Sequence, residues 1–207
     1  MALFELKDIE NHSQIGIWKI EESIEELENA LSKSILNNKT YKKFRSDRRK
    51  REWLATRVLL QVICNDKYLE ISYNDNRKPL LTNGDHISIS HSKLFVAVML
   101  SKKGSVGIDI QVPKNNIDRG ISIFMTPIEL VEIGEIEYFQ KLHIYWCAKE
   151  ALYKYIGDNK LNIYSHFKIN PVDIAGSGLF TGVINETCEV VNLKFEFSEL
   201  FYLIYTV

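Results

Sequence analysis

Val106-Gly107-Ile108-Asp109-Ile110-Gln111 is a short apolar run with a carboxylate in its middle and a glycine near its start. The apolar residues read as a buried strand. An ionised aspartate among apolar neighbours is costly unless a cation, a set of strong donors or a metal compensates it. The strand therefore asks for a partner. Helical periodicity offers one downstream, in Tyr145-Trp146-Cys147-Ala148-Lys149-Glu150-Ala151-Leu152-Tyr153-Lys154.

Glu150 and Lys154 are four residues apart and share a helix face, as do Trp146 and Glu150. Two readings stay open for this face. It is either a solvated ion pair of the common kind, or a carboxylate flanked by Lys149 and Lys154 at a site for metal and phosphate. In the second reading Asp109 and Glu150 hold one hard metal between them.

Composition narrows the setting. The chain has 207 residues, 45% hydrophobic and 26% charged, which suits a globular protein with a substantial core. A net charge of -1 gives no overall field to attract nucleic acid or a membrane surface. Charge is instead local. Glu21, Glu22, Glu25, Glu26 and Glu28 line one segment, and residues 39–57 concentrate lysine and arginine, as an anionic ligand would require. Cys64, Cys147 and Cys188 are too far apart for a zinc knuckle and odd in number, which favours a reducing cytoplasm. Charges within residues 1–10 break any signal-peptide core, and no apolar run is long enough to span a bilayer.

Along the chain, a strand at Ile15–Ile20 precedes one predicted helix on Ile20, Ile24, Leu27, Leu31 and Ile35. A central helix spans Arg51–Ile63; by composition Arg51 and Arg57 read as surface arginines with packed stems. A brief strand at Ile71–Tyr73, a turn ending in Lys78-Pro79, and a hairpin of Ile87–Ser92 with Leu94–Leu100 follow, so His91 stands at a strand end. After the Asp109 strand come a helix opened by Pro127, the helix Trp146–Ile156, and four strand-like runs at 167–169, 179–184, 189–197 and 200–207. Each half thus offers helices and then a strand meander. We read an α+β protein of two halves, residues 1–104 and 105–207, the second carrying the metal site. Neither a G-x-x-x-x-G-K-[ST] nor a G-x-G-x-x-G loop is present, so side chains must hold any phosphate. The G-x-S-x-G and H-E-x-x-H signatures are also missing.

Val106–Asp109 followed by Trp146–Lys154 resembles the two signature blocks of the 4'-phosphopantetheinyl transferases, in their larger pseudo-dimeric, surfactin-synthetase-activating form. Arg51–Arg57, Arg77-Lys78-Pro79, Ile89–Ser92, Phe124–Glu129 and Leu161-Asn162 resemble further blocks in the same order, from about Arg48 to Phe167. The resemblance implies two similar α/β halves about a pseudo-two-fold axis, with coenzyme A and Mg2+, or Mn2+, between them. It implies transfer of the phosphopantetheine arm of coenzyme A to a serine of an apo acyl or peptidyl carrier protein, releasing 3',5'-ADP. Asp109 and Glu150 would bind the metal. Arg51, His91 and Lys149 would hold phosphates, with Ser90 beside His91. Lys78 and Pro79 would lie along the adenine and ribose, and Lys154 at the pyrophosphate. Glu150 would take the serine proton and Lys154 would assist the leaving group. Where many members place a second acid, this chain has Gln111, a neutral candidate for the third metal position. The carrier would serve fatty acid, polyketide or nonribosomal peptide synthesis, and the enzyme would be a monomer. The competing reading is an inactive module that keeps a coenzyme A or nucleotide pocket.

Overall fold

The computed structural model describes residues 3–10, 12–176 and 178–207. They fall into two compact units, one within residues 1–74 and 79–104, the other within 75–78 and 105–207.

The first unit opens with strands β1 (Leu3–Ile9) and β2 (Ser13–Lys19). Short helices α1 (Ile24–Asn29), α2 (Lys33–Leu36) and α3 (Lys39–Lys43) lead to the long α4 (Asp47–Cys64). Strands β3 (Ile71–Tyr73), β4 (Pro79–Leu81), β5 (His86–Ser92) and β6 (Phe95–Ser101) complete it. The sheet order is β1-β2-β6-β5-β4-β3. The second unit starts with β7 (Ile108–Gln111), followed by a 3-10 turn (Ile117–Gly120), α5 (Ile121–Phe124), α6 (Pro127–Ile133) and the long α7 (Tyr138–Ile156). After α8 (Ile163–His166), strands β8 (Phe167–Ile169), β9 (Leu179–Ile184), β10 (Glu189–Phe197) and β11 (Tyr202–Thr206) form the order β7-β11-β10-β9-β8. With β1 set aside the two topologies are the same. In each, the strand before the helices pairs antiparallel with the last strand of a meander. The α+β class with two similar halves is what the chain adopts.

The single helix expected over residues 20–35 is two helices. Ser23 caps α1 in a capping box with Glu26, and Ser32 caps α2 anew, so local caps interrupt a continuous apolar spacing. The spacing still marks the core side, since Ile20, Leu27, Leu31 and Ile35 are all buried. Arg57 is also buried, against the surface expectation. Its guanidinium carbon lies 3.3 Å from the centre of the Trp53 ring and its Nη1 donates to the Trp53 carbonyl at 3.1 Å. Burial lowers its pKa to about 10. Helix α7 begins eight residues before Trp146, at Tyr138.

β7 and α7 set the geometry of the second unit. Alternation along a strand puts Gly107, Asp109 and Gln111 on one side and Ile108 and Ile110 on the other. The Gly107 side faces α7: a Cβ built on Gly107 would lie 2.0 Å from the Ala151 carbonyl oxygen. Only a residue without a side chain permits this approach. β7 is tied into the sheet by β11, where Asp109 stands opposite Ile204, and by reciprocal bonds of Gly107 and Thr206. At its far end α7 stops at Gly157, in the left-handed region at φ 70°, whose amide donates to the Tyr153 carbonyl.

Gly107→Ala should lower stability by about 3 kcal/mol, because the obstructing atom is helix backbone and cannot rotate away. That corresponds to a fall of about 6–12 °C in Tm for a chain of this size. Gly104→Ala, with nothing within 4 Å of the added Cβ, is the control and should melt with wild type. Equal melting of both variants by circular dichroism would contradict the close approach.

Candidate functional site

Asp109 and Gln111 lie buried on the α7 side of β7. Lys154, a turn beyond Glu150, donates from Nζ to Asp109 Oδ1 at 2.7 Å and to the Ile108 carbonyl at 3.0 Å. The Cys147 thiol, a turn before Glu150 and buried, hydrogen-bonds to the Asp109 side chain; burial first and that carboxylate second hold it well above its usual pKa, as a neutral donor. Glu150 is pushed up to about 6, first by burial and then by the negative charge of Asp109, with Lys154 and Lys114 acting in the opposite direction. The helix carboxylate and the strand carboxylate thus share one electrostatic environment. The i,i+4 partner of Glu150 turns out to serve Asp109.

Lys114 is an addition to the expected set. Its backbone N–H donates to His143 Nε2 at 2.9 Å while His143 Nδ1 meets the Phe139 carbonyl, so a stacked, buried histidine anchors the segment that carries this cation. No periodicity marks Lys114; it follows Val112-Pro113 directly after the strand. Gln111 donates from Nε2 to the Val112 carbonyl, and its amide oxygen is of the type that binds hard metals. Among the described residues no group of three or more His, Cys, Asp or Glu gathers as a metal site. The pair Asp109 and Glu150 is nevertheless a fitting donor set for a hard cation. Two carboxylates suffice when a substrate brings phosphate oxygens, and their mutual repulsion is what a divalent charge relieves.

Lys149, expected at a phosphate, and Lys78, expected along the adenine and ribose, are both bonded within the chain. Lys149 is fully buried, with Nζ 2.7 Å from both the Phe124 carbonyl and Glu129 Oε2. It lies ~100° around the helix from Glu150 and points away from β7. Lys78 donates to Ser105 Oγ and to the Tyr155 and Ile156 carbonyls at 2.9, 2.7 and 3.4 Å. It caps the orphan carbonyls at the negative end of α7 rather than lying open along a ligand. Burial lowers the pKa of both lysines.

In the first unit, His91 is exposed on β5 and its Nε2 is 3.3 Å from Arg49 Nη1. Arg49 and Arg48 also meet the buried carboxylate of Glu52, at 3.3 and 3.6 Å. The group presents two guanidinium ions and an imidazole, backed by one buried acid, which suits an anion. The sequence singled out His91 and, apart from it, the basic run that holds Arg49, but not their contact, which joins residues 42 apart. Arg51 is half-buried on the same helix, Ser90 is buried on β5, and Pro79 begins β4.

Glu150 yields a pH dependence with a definite sign. Its folded pKa is raised, so the folded protein binds the extra proton between about pH 4.5 and 6 and its stability falls as pH rises through that window. The loss is at most about 2 kcal/mol. Glu150→Gln removes it, so the variant should gain about 4–8 °C in Tm over wild type at pH 7.5 relative to the difference at pH 4.5. Calorimetry without added metal that finds a pH-independent difference would refute the coupling.

Residues 105–195 match the model of the 4'-phosphopantetheinyl transferase superfamily. The chain is 33% identical over 125 residues to the 4'-phosphopantetheinyl transferase AcpT of Salmonella typhimurium, covering 56% of this chain and 64% of that relative. Its likeness to the proteins of the same name from Salmonella typhi and Escherichia coli O157:H7 is 31% over 125 and 124 residues, again 56% of this chain and 64% and 63% of theirs. The chain therefore spans less than two thirds of the length of these curated relatives. The matched residues 105–195 hold both Asp109 and the Glu150 face of α7, so the likeness to the 4'-phosphopantetheinyl transferase superfamily falls on the site itself.

Proposed function

We propose that the protein transfers the 4'-phosphopantetheine arm of coenzyme A to a serine hydroxyl of an apo carrier protein, releasing 3',5'-ADP. The observation that carries this reading is the pairing of the buried Asp109 with the half-buried Glu150, with Glu150 pushed up to about 6 and Lys154 bonded to Asp109. The superfamily match over the same residues supports it.

Asp109 and Glu150, with the amide oxygen of Gln111, would hold Mg2+ or Mn2+. When bound, the metal supplies charge neutralisation at the pyrophosphate. The serine oxygen bonds to the β-phosphorus, and the bond from that phosphorus to the bridging oxygen breaks. The bridging oxygen leaves with 3',5'-ADP. Glu150, ionised at neutral pH and on the helix face toward Asp109, takes the serine proton. Lys154, anchored by the Ile108 carbonyl, places its ammonium to stabilise charge on the departing phosphate. Arg51, Ser90 and His91 are assigned to coenzyme A by resemblance, and Arg49 joins His91 by geometry. A monomer in a reducing cytoplasm completes the reading. No helix of the described residues is long and apolar enough to cross a membrane.

Incubation with an apo carrier protein, coenzyme A and Mg2+ should add one phosphopantetheine to the carrier by mass. Chelation should abolish the gain, and Asp109→Asn or Glu150→Gln should slow it by about 10²-fold or more. If carriers of fatty acid, polyketide and peptide synthesis all stay unmodified while coenzyme A binds, the protein is a binding module.

A further inference from the structure

One buried carboxylate joins four elements of the second unit. Glu129 Oε2 accepts from the Thr126 amide and hydroxyl, both at 2.9 Å, and from Lys149 Nζ at 2.7 Å. Its Oε1 accepts the Ile169 amide of β8 at 3.0 Å. Lys149 in turn reaches the last residue of α5 through the Phe124 carbonyl. Both charged groups are essentially inaccessible, at 0% and 1% exposure. The acid that closes the capping box of α6 is therefore also the counter-ion of the residue next to Glu150.

We propose that Lys149 and Glu129 are positioning residues that set the rotation of α7 so that Glu150 faces Asp109, and that Lys149 does not touch the substrate. This rests on the transferase reading above. Adjacent residues on a helix point ~100° apart, so drawing Lys149 toward α5, α6 and β8 turns Glu150 toward β7. For Lys149 to hold a phosphate it would have to leave Glu129 as an unpaired buried charge, which is strongly unfavourable. The fixed length of the pair also limits the swing of α7, because a helix held at a charged contact on one side and at the Gly107–Ala151 contact on the other has no free rotation.

A cycle of Lys149→Met, Glu129→Gln and the double variant tests the pair. Each single change should lower kcat at least tenfold with KM for coenzyme A within threefold. The double should be no worse than the poorer single, since both remove the same contact. Multiplying losses, or a tenfold rise in KM confined to Lys149→Met, would overturn the assignment in favour of a phosphate contact. If these variants unfold, the milder Thr126→Ala should still lower kcat about threefold at unchanged KM, and an unaffected kcat would count against it. Acetylation of the wild-type protein gives a readout independent of transfer. Lys149 should be modified far more slowly than the exposed Lys103, and the protection should be lost in Glu129→Gln; equal rates for the two lysines in wild type would overturn the burial on which the proposal stands. Absence of transfer by wild type would sink the transferase reading, with labelling and the cycle of unfolding midpoints left to judge the pair.

Discussion

The second unit depends on the contact of β7 with α7 at Gly107 and the Ala151 carbonyl. Strand and helix can meet this closely because Gly107 has no side chain, and the closeness fixes what comes next on both elements. Two residues on, Asp109 points to the helix; on α7, Glu150 and Lys154 point back to the strand. A carboxylate pair, costly in a core, is assembled by packing and held there by lysines and a thiol.

The first unit repeats the topology without repeating the chemistry. Its strand in the place of β7 is β2, Ser13-Gln-Ile-Gly-Ile-Trp-Lys19, which carries no acid. Its long helix buries Glu52 under Arg48 and Arg49, an acid serving to offset cations rather than to face another acid. The same scaffold therefore supports a basic cluster in one half and an acidic one in the other, because the topology sets backbone positions and leaves the charge to the side chains.

Much of this was legible in the chain. Alternation revealed the β5–β6 hairpin and the closing meander; the Gly-Ile-Asp run and the Lys-Glu-x-x-x-Lys face identified Asp109, Glu150 and Lys154. What was missed is of one kind. Lys114 and Arg49 join their groups through contacts with His143 and His91, distant in sequence, and no local period reports them. The expected single helix over residues 20–35 failed for a local reason, since serine caps outweighed a continuous apolar spacing.

The sequence by itself determined which apolar positions form the core, where most strands and the centres of the long helices lie, and that Asp109 needed a partner, because periodicity and desolvation are properties of short stretches. Only the tertiary structure decided how the lysines divide. Lys149, Lys154 and Lys78 look alike as candidates for coenzyme A, yet Lys149 is sealed against Glu129, Lys78 caps α7, and Lys154 alone of the three is bonded to Asp109. An ammonium ion goes to the strongest uncompensated acceptor within reach. Which acceptor that is depends on the packing of distant elements.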